Sequence, residues 1–213
     1  EAAIRALKDG KTGYNPSSGI PKLREILAET AGLERGIELG HENVVIQPGG
    51  KPVIPKFIQS LMNPGDGVLY PNPGYPIYES QIEFNNGIPL PYGFIRTSDG
   101  FMINREEVEN LIDSRTRLLV YNNYQNPMGC ESNDDEMEWI ANLAVKNDLW
   151  VLSDEAYFDA LGRERQHSFN HHVLELSSVF EYHFLQFRRI LNSEGSLLDL
   201  GFLLRRPRLL FHI

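Results

Sequence analysis

The sequence has few of the features of a secreted or membrane-spanning protein. Its 213 residues include one cysteine, Cys130, so no internal disulfide can form, and this usage fits a reducing compartment. No apolar run approaches the ~20 residues that a membrane-spanning helix requires. The net charge of −9 disfavours a nucleic-acid or anionic-membrane partner. We therefore expect a cytoplasmic protein that binds neither nucleic acid nor a membrane.

Lysine is missing from the end of the chain, because the last one is Lys146. Residues 161–213 hold seven arginines and five acidic residues, and they lack a regular apolar pattern. We expect these residues to form an atypical tail that is either translated out of frame or poorly folded. The alternative is an ordinary divergent helical extension, with Phe184, Phe187 and Leu191 on one helical stripe.

Residues 1–160, by contrast, alternate strand-like and helix-like segments. The strand-like apolar runs lie at 44–46, 67–70, 88–94, 117–121 and 149–153. Alternation at this spacing indicates βαβ units. We therefore predict an α/β fold for residues 1–160, a three-layer sandwich around a mainly parallel central sheet.

Polar side chains follow the last two of these runs. Asn126 and Pro127 come shortly after the run at 117–121, and Asp154 directly follows the run at 149–153. Open α/β sheets bind ligands in the crevice at the carboxyl ends of their strands. A ligand site at this edge is therefore predicted, although Asp154 could also serve as a helix N-cap and Asn126-Pro127 as a plain turn.

Gly49-Gly50-Lys51 follows the first apolar run and precedes a helix-like segment. The free N–H groups at a helix start attract anions, and glycine allows a ligand to approach the backbone closely. The segment is not a Walker A loop, because no Ser or Thr follows Lys51. It is either an anion-binding turn or an ordinary strand-to-helix connection.

Two tyrosines complete the set of candidate residues. Tyr75 lies in Pro73-Gly74-Tyr75-Pro76, a loop rigid enough to hold an aromatic ring over a planar ligand. Tyr157 follows Asp154 by three residues. Each has an ordinary structural explanation, as a core tyrosine and as a surface aromatic residue respectively.

The order and spacing of these motifs resemble the class I/II aminotransferases, pyridoxal-phosphate enzymes of fold type I. The resemblance covers about residues 1–160, and the matching motifs are Tyr14-Asn15-Pro16, Gly49-Gly50-Lys51, Pro73-Gly74-Tyr75-Pro76, Asn126-Pro127-x-Gly129 and Asp154-Glu155-Ala156-Tyr157. It implies that residues 1–160 are part of a large domain that binds pyridoxal 5′-phosphate. Intact relatives would transfer an amino group between an amino acid and a 2-oxo acid.

The resemblance also implies a role for each residue around the cofactor ring. Asp154 would pair with the pyridine nitrogen and keep it protonated, which makes the ring a better electron sink. Asn126 and Tyr157 would donate hydrogen bonds to the phenolic oxygen. Tyr75 would stack on the ring.

Further roles concern the cofactor phosphate. Gly49, Gly50 and Lys51 would bind it in the same subunit. The resemblance implies a homodimer, in which Tyr14 would reach the phosphate bound by the partner subunit.

One part of the family pattern is absent from the sequence. The family carries its Schiff-base lysine in a Ser-x-Ser-Lys segment a few tens of residues after Asp-x-Ala-Tyr, whereas here Val179-Phe180 follows Ser177-Ser178. We therefore expect a truncated or frame-disrupted chain with little or no transaminase activity. The alternative is a non-catalytic pseudoenzyme that dimerises with an intact homologue.

Other functions find less support in the sequence. A nucleotide-binding domain would need Gly-x-Gly-x-x-Gly after its first strand, and this motif is missing. His167 and His171 could share a helical face with His172 nearby, but no carboxylate or cysteine completes a metal site, so none is predicted. The sequence does not separate aminotransferases from lyases or synthases of the same fold.

Overall fold

The computed structural model describes residues 1–35, 38–98, 100–157, 184–191 and 197–204. Within them the α-helices are α1 (Ala2–Lys8), α2 (Pro21–Arg35), α3 (Val53–Leu61), α4 (Ile77–Phe84), α5 (Arg105–Leu111) and α6 (Asp134–Lys146). The strands are β1 (Gly67–Pro71), β2 (Ile88–Tyr92), β3 (Phe94–Thr97), β4 (Gly100–Ile103), β5 (Thr116–Asn122), β6 (Trp150–Asp154), β7 (Phe184–Leu191) and β8 (Leu197–Leu204).

The main sheet has six strands in the order β2-β1-β5-β6-β7-β8. Every neighbouring pair is parallel except β7 and β8, which pair antiparallel. Helices connect the parallel strands β1, β2, β5 and β6, as parallel strands require a crossover. The predicted α/β fold with a mainly parallel sheet is therefore confirmed.

Alternate residues of β5 pack into different layers. Leu119 and Tyr121 join a buried cluster with Met137 and Ile140 of α6. Leu118 and Val120 join a second buried cluster that includes side chains of α3 and α4. Because successive side chains of a strand point to opposite faces, α6 covers one face and α3 and α4 cover the other. The chain therefore forms three layers, as predicted.

The apolar run at 44–46 is not a strand, and that prediction was wrong. Val44 is fully buried, but it packs against Leu27 and Ala28 of α2 in a small separate cluster. Its apolar character thus reflects contact with a helix. The Ile46 N–H donates to the Ser18 carbonyl oxygen at 2.9 Å, in the loop before α2.

The sheet also contains strands that the sequence did not indicate. The proposed helical stripe of Phe184, Phe187 and Leu191 is wrong, because residues 184–191 form β7 beside β6, with Phe184 opposite Val151. The apolar run at 197–204 forms β8. A separate antiparallel hairpin, β3–β4, was missed altogether.

The remaining residues of the tail, at 158–183, 192–196 and 205–213, lie outside the described part of the chain. The expectation that 161–213 is out of frame or poorly folded rests mostly on them and stays a prediction. In the part that the structure does describe, no helix combines the length and the apolar composition needed to cross a membrane.

Candidate functional site

A cleft of about 260 Å³ opens at the carboxyl edge of the main sheet. It lies beyond the ends of β5 and β6 and beside the start of α3. The residues that line it are Gly50, Lys51, Ile54, Tyr75, Tyr78, Asn122, Asn126, Asp154, Ala156 and Tyr157. The structure thus brings six of the eight predicted site residues to one cleft: Gly50, Lys51, Tyr75, Asn126, Asp154 and Tyr157.

Asp154 is the last residue of β6 and is 4% exposed. Its Oδ2 accepts a hydrogen bond from the Tyr78 hydroxyl at 2.5 Å, and its Oδ1 accepts one from the Ala156 N–H at 3.2 Å. A buried carboxylate is costly unless donors satisfy its oxygens. These donors hold Asp154 at the wall of the cleft with both oxygens engaged.

Tyr78 supplies its hydrogen bond from a wholly buried position. Burial and then the nearby negative charge of Asp154 raise the pKa of Tyr78 well above its usual value. The phenol therefore keeps its proton and acts as the donor. Its ring also contacts Tyr75 edge-on, with the centroids 5.9 Å apart and the planes at 86°.

Tyr75 is half-buried at the cleft, in the loop between β1 and α4. The adjacent Gly74 has no room for a side chain, because a Cβ there would collide with the Pro71 carbonyl oxygen. One residue earlier, Gln125 Nε2 donates to the Pro73 carbonyl oxygen at 2.8 Å. The segment that leads into Tyr75 is therefore closely packed and held by a hydrogen bond from a second loop.

Asn122 connects the ends of β5 and β6. It stands opposite Asp154 in the strand register, and its Nδ2 donates to the Asp154 carbonyl oxygen at 2.9 Å. Its Oδ1 accepts from the Asn126 N–H at 2.9 Å. One buried amide thus ties Asn126 to the strand that ends in Asp154.

Gly50 and Lys51 lie immediately before α3. The Val53 N–H donates to the Gly50 carbonyl oxygen at 3.0 Å, which starts the first turn. The N-terminal end of a helix carries partial positive charge and attracts anions. Together with the exposed Lys51 ammonium, it makes this side of the cleft suited to an anionic group.

Two predicted residues do not line the cleft. Gly49 adopts φ of +89°, a conformation that favours glycine, so its position serves the turn before Gly50. Tyr14 is fully exposed in the loop before α2. Its predicted role concerns a partner subunit and stays a prediction.

Sequence reasoning missed Tyr78 and Asn122. Tyr78 lies in the first turn of α4, whereas Tyr75 lies in the loop before it, so no helical spacing relates the two and no local pattern pointed to Tyr78. Asn122 is the last residue of β5, as Asp154 is of β6. Aligning the carboxyl ends of the two apolar runs as parallel strands would therefore have indicated Asn122.

Among the described residues, no group of three or more His, Cys, Asp or Glu side chains is placed to hold a metal ion. The histidines that could share a helical face, His167, His171 and His172, lie outside the described residues.

Residues 1–185 match the family model described as aminotransferase class I and II. The chain is 36% identical over 157 residues to a probable aspartate/prephenate aminotransferase of Aquifex aeolicus. It is 37% identical over 157 residues to the aspartate/prephenate aminotransferase of Thermus thermophilus. Each match covers 74% of this chain and 40% of the relative, so the chain spans well under half of either protein's length.

Solved structures agree with these matches. An aspartate aminotransferase single mutant of Thermus thermophilus superposes with a TM-score of 0.83 at 30% identity, covering 96% of this chain and 52% of the other. An alanine aminotransferase of Pyrococcus furiosus, at 23% identity and a TM-score of 0.82, shares the fold. With a family match across most of its length and a sheet edge built as described above, the chain belongs to the class I and II aminotransferase family.

Proposed function

We propose that the cleft binds pyridoxal 5′-phosphate. The observation that carries this proposal is the buried Asp154 carboxylate, oriented by Tyr78 and facing the same cleft as Tyr75 and Asn126. An acid of this kind suits a protonated pyridine nitrogen, because the opposite charges stabilise each other away from bulk water. The residues present therefore fit the cofactor.

The other contacts follow from the chemistry of the donors. Tyr75 would cover one face of the ring. The Asn126 amide and the Tyr157 hydroxyl would donate to the phenolic oxygen. The backbone at Gly50 and the ammonium of Lys51 would hold the phosphate, with Gly49 shaping that turn. When bound, the cofactor supplies the electron sink on which amino-group transfer depends.

We infer that the substrates of the intact relatives of this chain are an amino acid and a 2-oxo acid. The names of the relatives, several of them aminotransferases of aspartate or prephenate, support this class. For the domain organisation, we propose that residues 1–160 are part of the large domain and that 161–213 form an atypical tail. The single cysteine supports the proposal that the protein works in the cytoplasm.

For this chain itself we propose cofactor binding with little or no transaminase activity. The support is the sequence after position 146, which contains no lysine to bind the cofactor aldehyde covalently or to move a proton at the substrate. Lys51 lines the cleft, but it lies on the side suited to the phosphate. We do not assign it the role of the missing lysine.

Binding of pyridoxal phosphate to the purified chain, followed by equilibrium dialysis, tests the proposal. We expect reversible binding, weakened roughly tenfold or more in Asp154→Asn, because a charge-assisted contact is lost. Asp135→Asn is the matched control, since it makes the same change on an exposed carboxylate that pairs with Arg105. Equal binding by both variants would count against the assigned site.

Borohydride reduction tests the absence of a covalent link. After incubation with pyridoxal phosphate and reduction, mass spectrometry is expected to show only scattered, substoichiometric adducts on exposed lysines. A stoichiometric adduct on one lysine would contradict the proposed absence of a Schiff-base lysine. A thermal-shift series with NAD and ATP, run in parallel, would expose a nucleotide site instead.

The alternative function is that of a pseudoenzyme paired with an intact homologue. Exposed apolar side chains near the start of the chain favour it, among them Ile4, Leu7 and Leu33, with Tyr14 fully exposed between them. Co-purification with a full-length class I and II aminotransferase would support this alternative. If the chain stays monomeric and does not bind the homologue at high concentration, the pseudoenzyme alternative is excluded.

A further inference from the structure

Tyr78 occupies the second position of α4, between Tyr75 and Asp154. Its side chain is 0% exposed, yet it forms part of the cleft wall. The hydroxyl reaches Asp154, and the ring lies against Tyr75.

The hydrogen bond from Tyr78 determines how the Asp154 carboxylate is turned. At 2.5 Å the contact is at the short end for an O–H donor and a carboxylate oxygen. It engages Oδ2, while the Ala156 N–H engages Oδ1. With each oxygen bound to a donor on a different element, the carboxylate plane cannot rotate without breaking one of these bonds.

The ring and the hydroxyl of Tyr78 contribute separately. The edge-on ring contact with Tyr75 depends on the aromatic ring alone. The contact with Asp154 depends on the hydroxyl alone. A phenylalanine at this position would keep the first contact and lose the second, which makes the two effects separable by experiment.

We propose that Tyr78 is a positioning residue that holds the Asp154 carboxylate in the orientation needed to pair with a protonated pyridine nitrogen. The inference rests on the proposed function, because it assumes that the cleft binds pyridoxal phosphate. Burial and the nearby charge of Asp154 raise the pKa of Tyr78, which supports the inference, since the phenol stays a donor at neutral pH.

Two ligands distinguish a role of Tyr78 in orienting the Asp154 carboxylate from a role in stabilising the fold. One is pyridoxal phosphate, and the other is its analogue with a C–H in place of the ring nitrogen. The analogue offers Asp154 nothing to pair with, so the ratio of the two dissociation constants reports only the contact at the nitrogen. We expect the wild type to prefer pyridoxal phosphate, and Tyr78→Phe to reduce that preference roughly tenfold.

Controls separate the hydroxyl of Tyr78 from the loss of any buried hydroxyl. Tyr92→Phe removes another buried tyrosine hydroxyl, which donates a 2.8 Å hydrogen bond to the Val120 carbonyl oxygen. Tyr92 does not line the cleft. We expect this variant to keep the full preference. In an Asp154→Asn background, Tyr78→Phe is expected to change the ratio no further, since the group that it positions is already gone.

Each result then has one meaning. If Tyr78→Phe weakens both ligands by the same factor, Tyr78 supports the fold only and the inference is overturned. If the wild type binds neither ligand, the proposed function fails. Should Tyr78→Phe not fold, Tyr78→4-fluorophenylalanine fills the space of the hydroxyl without donating and is expected to lose the preference, whereas Tyr78→4-aminophenylalanine donates and is expected to keep it.

Discussion

Asn122 and Asp154 stand opposite each other at the ends of β5 and β6, and the Asn122 amide donates to the Asp154 carbonyl oxygen at 2.9 Å. The same side chain accepts from the Asn126 N–H. Asn122 is 6% exposed, and its hydrogen bond to Asp154 is buried, whereas the one from Asn126 is partly buried. This one amide therefore couples the strand that carries the acid to the loop that carries Asn126.

Replacing Asn122 should disturb both the fold and the cleft. In Asn122→Ala the half-buried Asn126 N–H loses its acceptor, and the Asp154 carbonyl oxygen keeps only the Asn123 N–H at 3.1 Å, so we expect a loss of about 1 kcal/mol in the free energy of unfolding. Affinity for pyridoxal phosphate should fall as well, because Asn126 and Asp154 lose their common support. Urea unfolding and equilibrium dialysis measure the two effects.

The control is Asn147→Ala, which removes a comparable hydrogen bond, from the Asn147 side-chain amide to the Leu143 carbonyl oxygen at the end of α6. It should lower stability without changing cofactor affinity. Unchanged affinity in Asn122→Ala would contradict the coupling described for the cleft.

Gly74 should tolerate no side chain. In Gly74→Ala the new Cβ would collide with the Pro71 carbonyl oxygen, so the loop carrying Tyr75 must shift. We expect destabilisation of about 1–3 kcal/mol together with weaker cofactor binding. Gly13→Ala, where nothing lies within 4 Å of the new Cβ, should stay within about 0.5 kcal/mol of wild type in the same urea experiment.

The pKa of the Asp113 carboxyl should depend on Arg115. Hydrogen bonds from the Arg115 side chain and N–H lower this pKa below its ordinary value of 3.8. The unfolded chain therefore binds the proton more tightly. The stabilisation is present above the unfolded pKa and is lost as pH falls through the folded one.

Arg115→Gln should raise the pKa of Asp113 toward 3.8, as followed by NMR titration of its side-chain carbonyl. Arg96→Gln, on the exposed side of the β3–β4 hairpin, should leave that pKa where it is. If the pKa of Asp113 is the same in Arg115→Gln as in the wild type, the Asp113–Arg115 ion pair does not persist in solution.

Cys130 should react slowly with alkylating reagents. Burial raises the pKa of its thiol above 9.0, so the reactive thiolate is scarce at neutral pH. Because it is the single cysteine, alkylation by iodoacetamide reports on it alone. We expect the rate to rise with pH beyond 9.0 and to increase when urea unfolds the chain; rapid labelling of the folded protein at neutral pH would be the contrary result.

The sequence predicted that Asp154 and Asn126 would come together because each follows an apolar run and the carboxyl ends of parallel strands meet at one edge of a sheet. The structure places both at the cleft, and their roles there stay a prediction. Tyr78 gave no comparable signal. It lies among the polar residues of α4, and its contact with Asp154 joins positions 76 residues apart. Such a contact depends on how α4 is laid against the sheet, which local pattern does not specify.

The failures have physical causes as well. Val44 is as apolar as a strand residue, but α2 rather than a neighbouring strand covers it. In 184–191 the spacing of Phe184, Phe187 and Leu191 suits a helix, yet β6 offers an edge for pairing and the segment extends the sheet. The β3–β4 hairpin could have been found from Ser98-Asp99-Gly100, a turn signal between two short apolar stretches.

Gln125 gives the cleft one more property. Its Nε2 donates at once to the Pro73 carbonyl oxygen at 2.8 Å and to the Asn126 carbonyl oxygen at 3.0 Å, so the aromatic loop and the amide loop are tethered. If Tyr75 swung outward, it would have to pull Asn126 along or break this tether. We therefore expect the loop that carries Tyr75 and the loop that carries Asn126 to move together. A ligand that binds to one of these loops should also restrain the other.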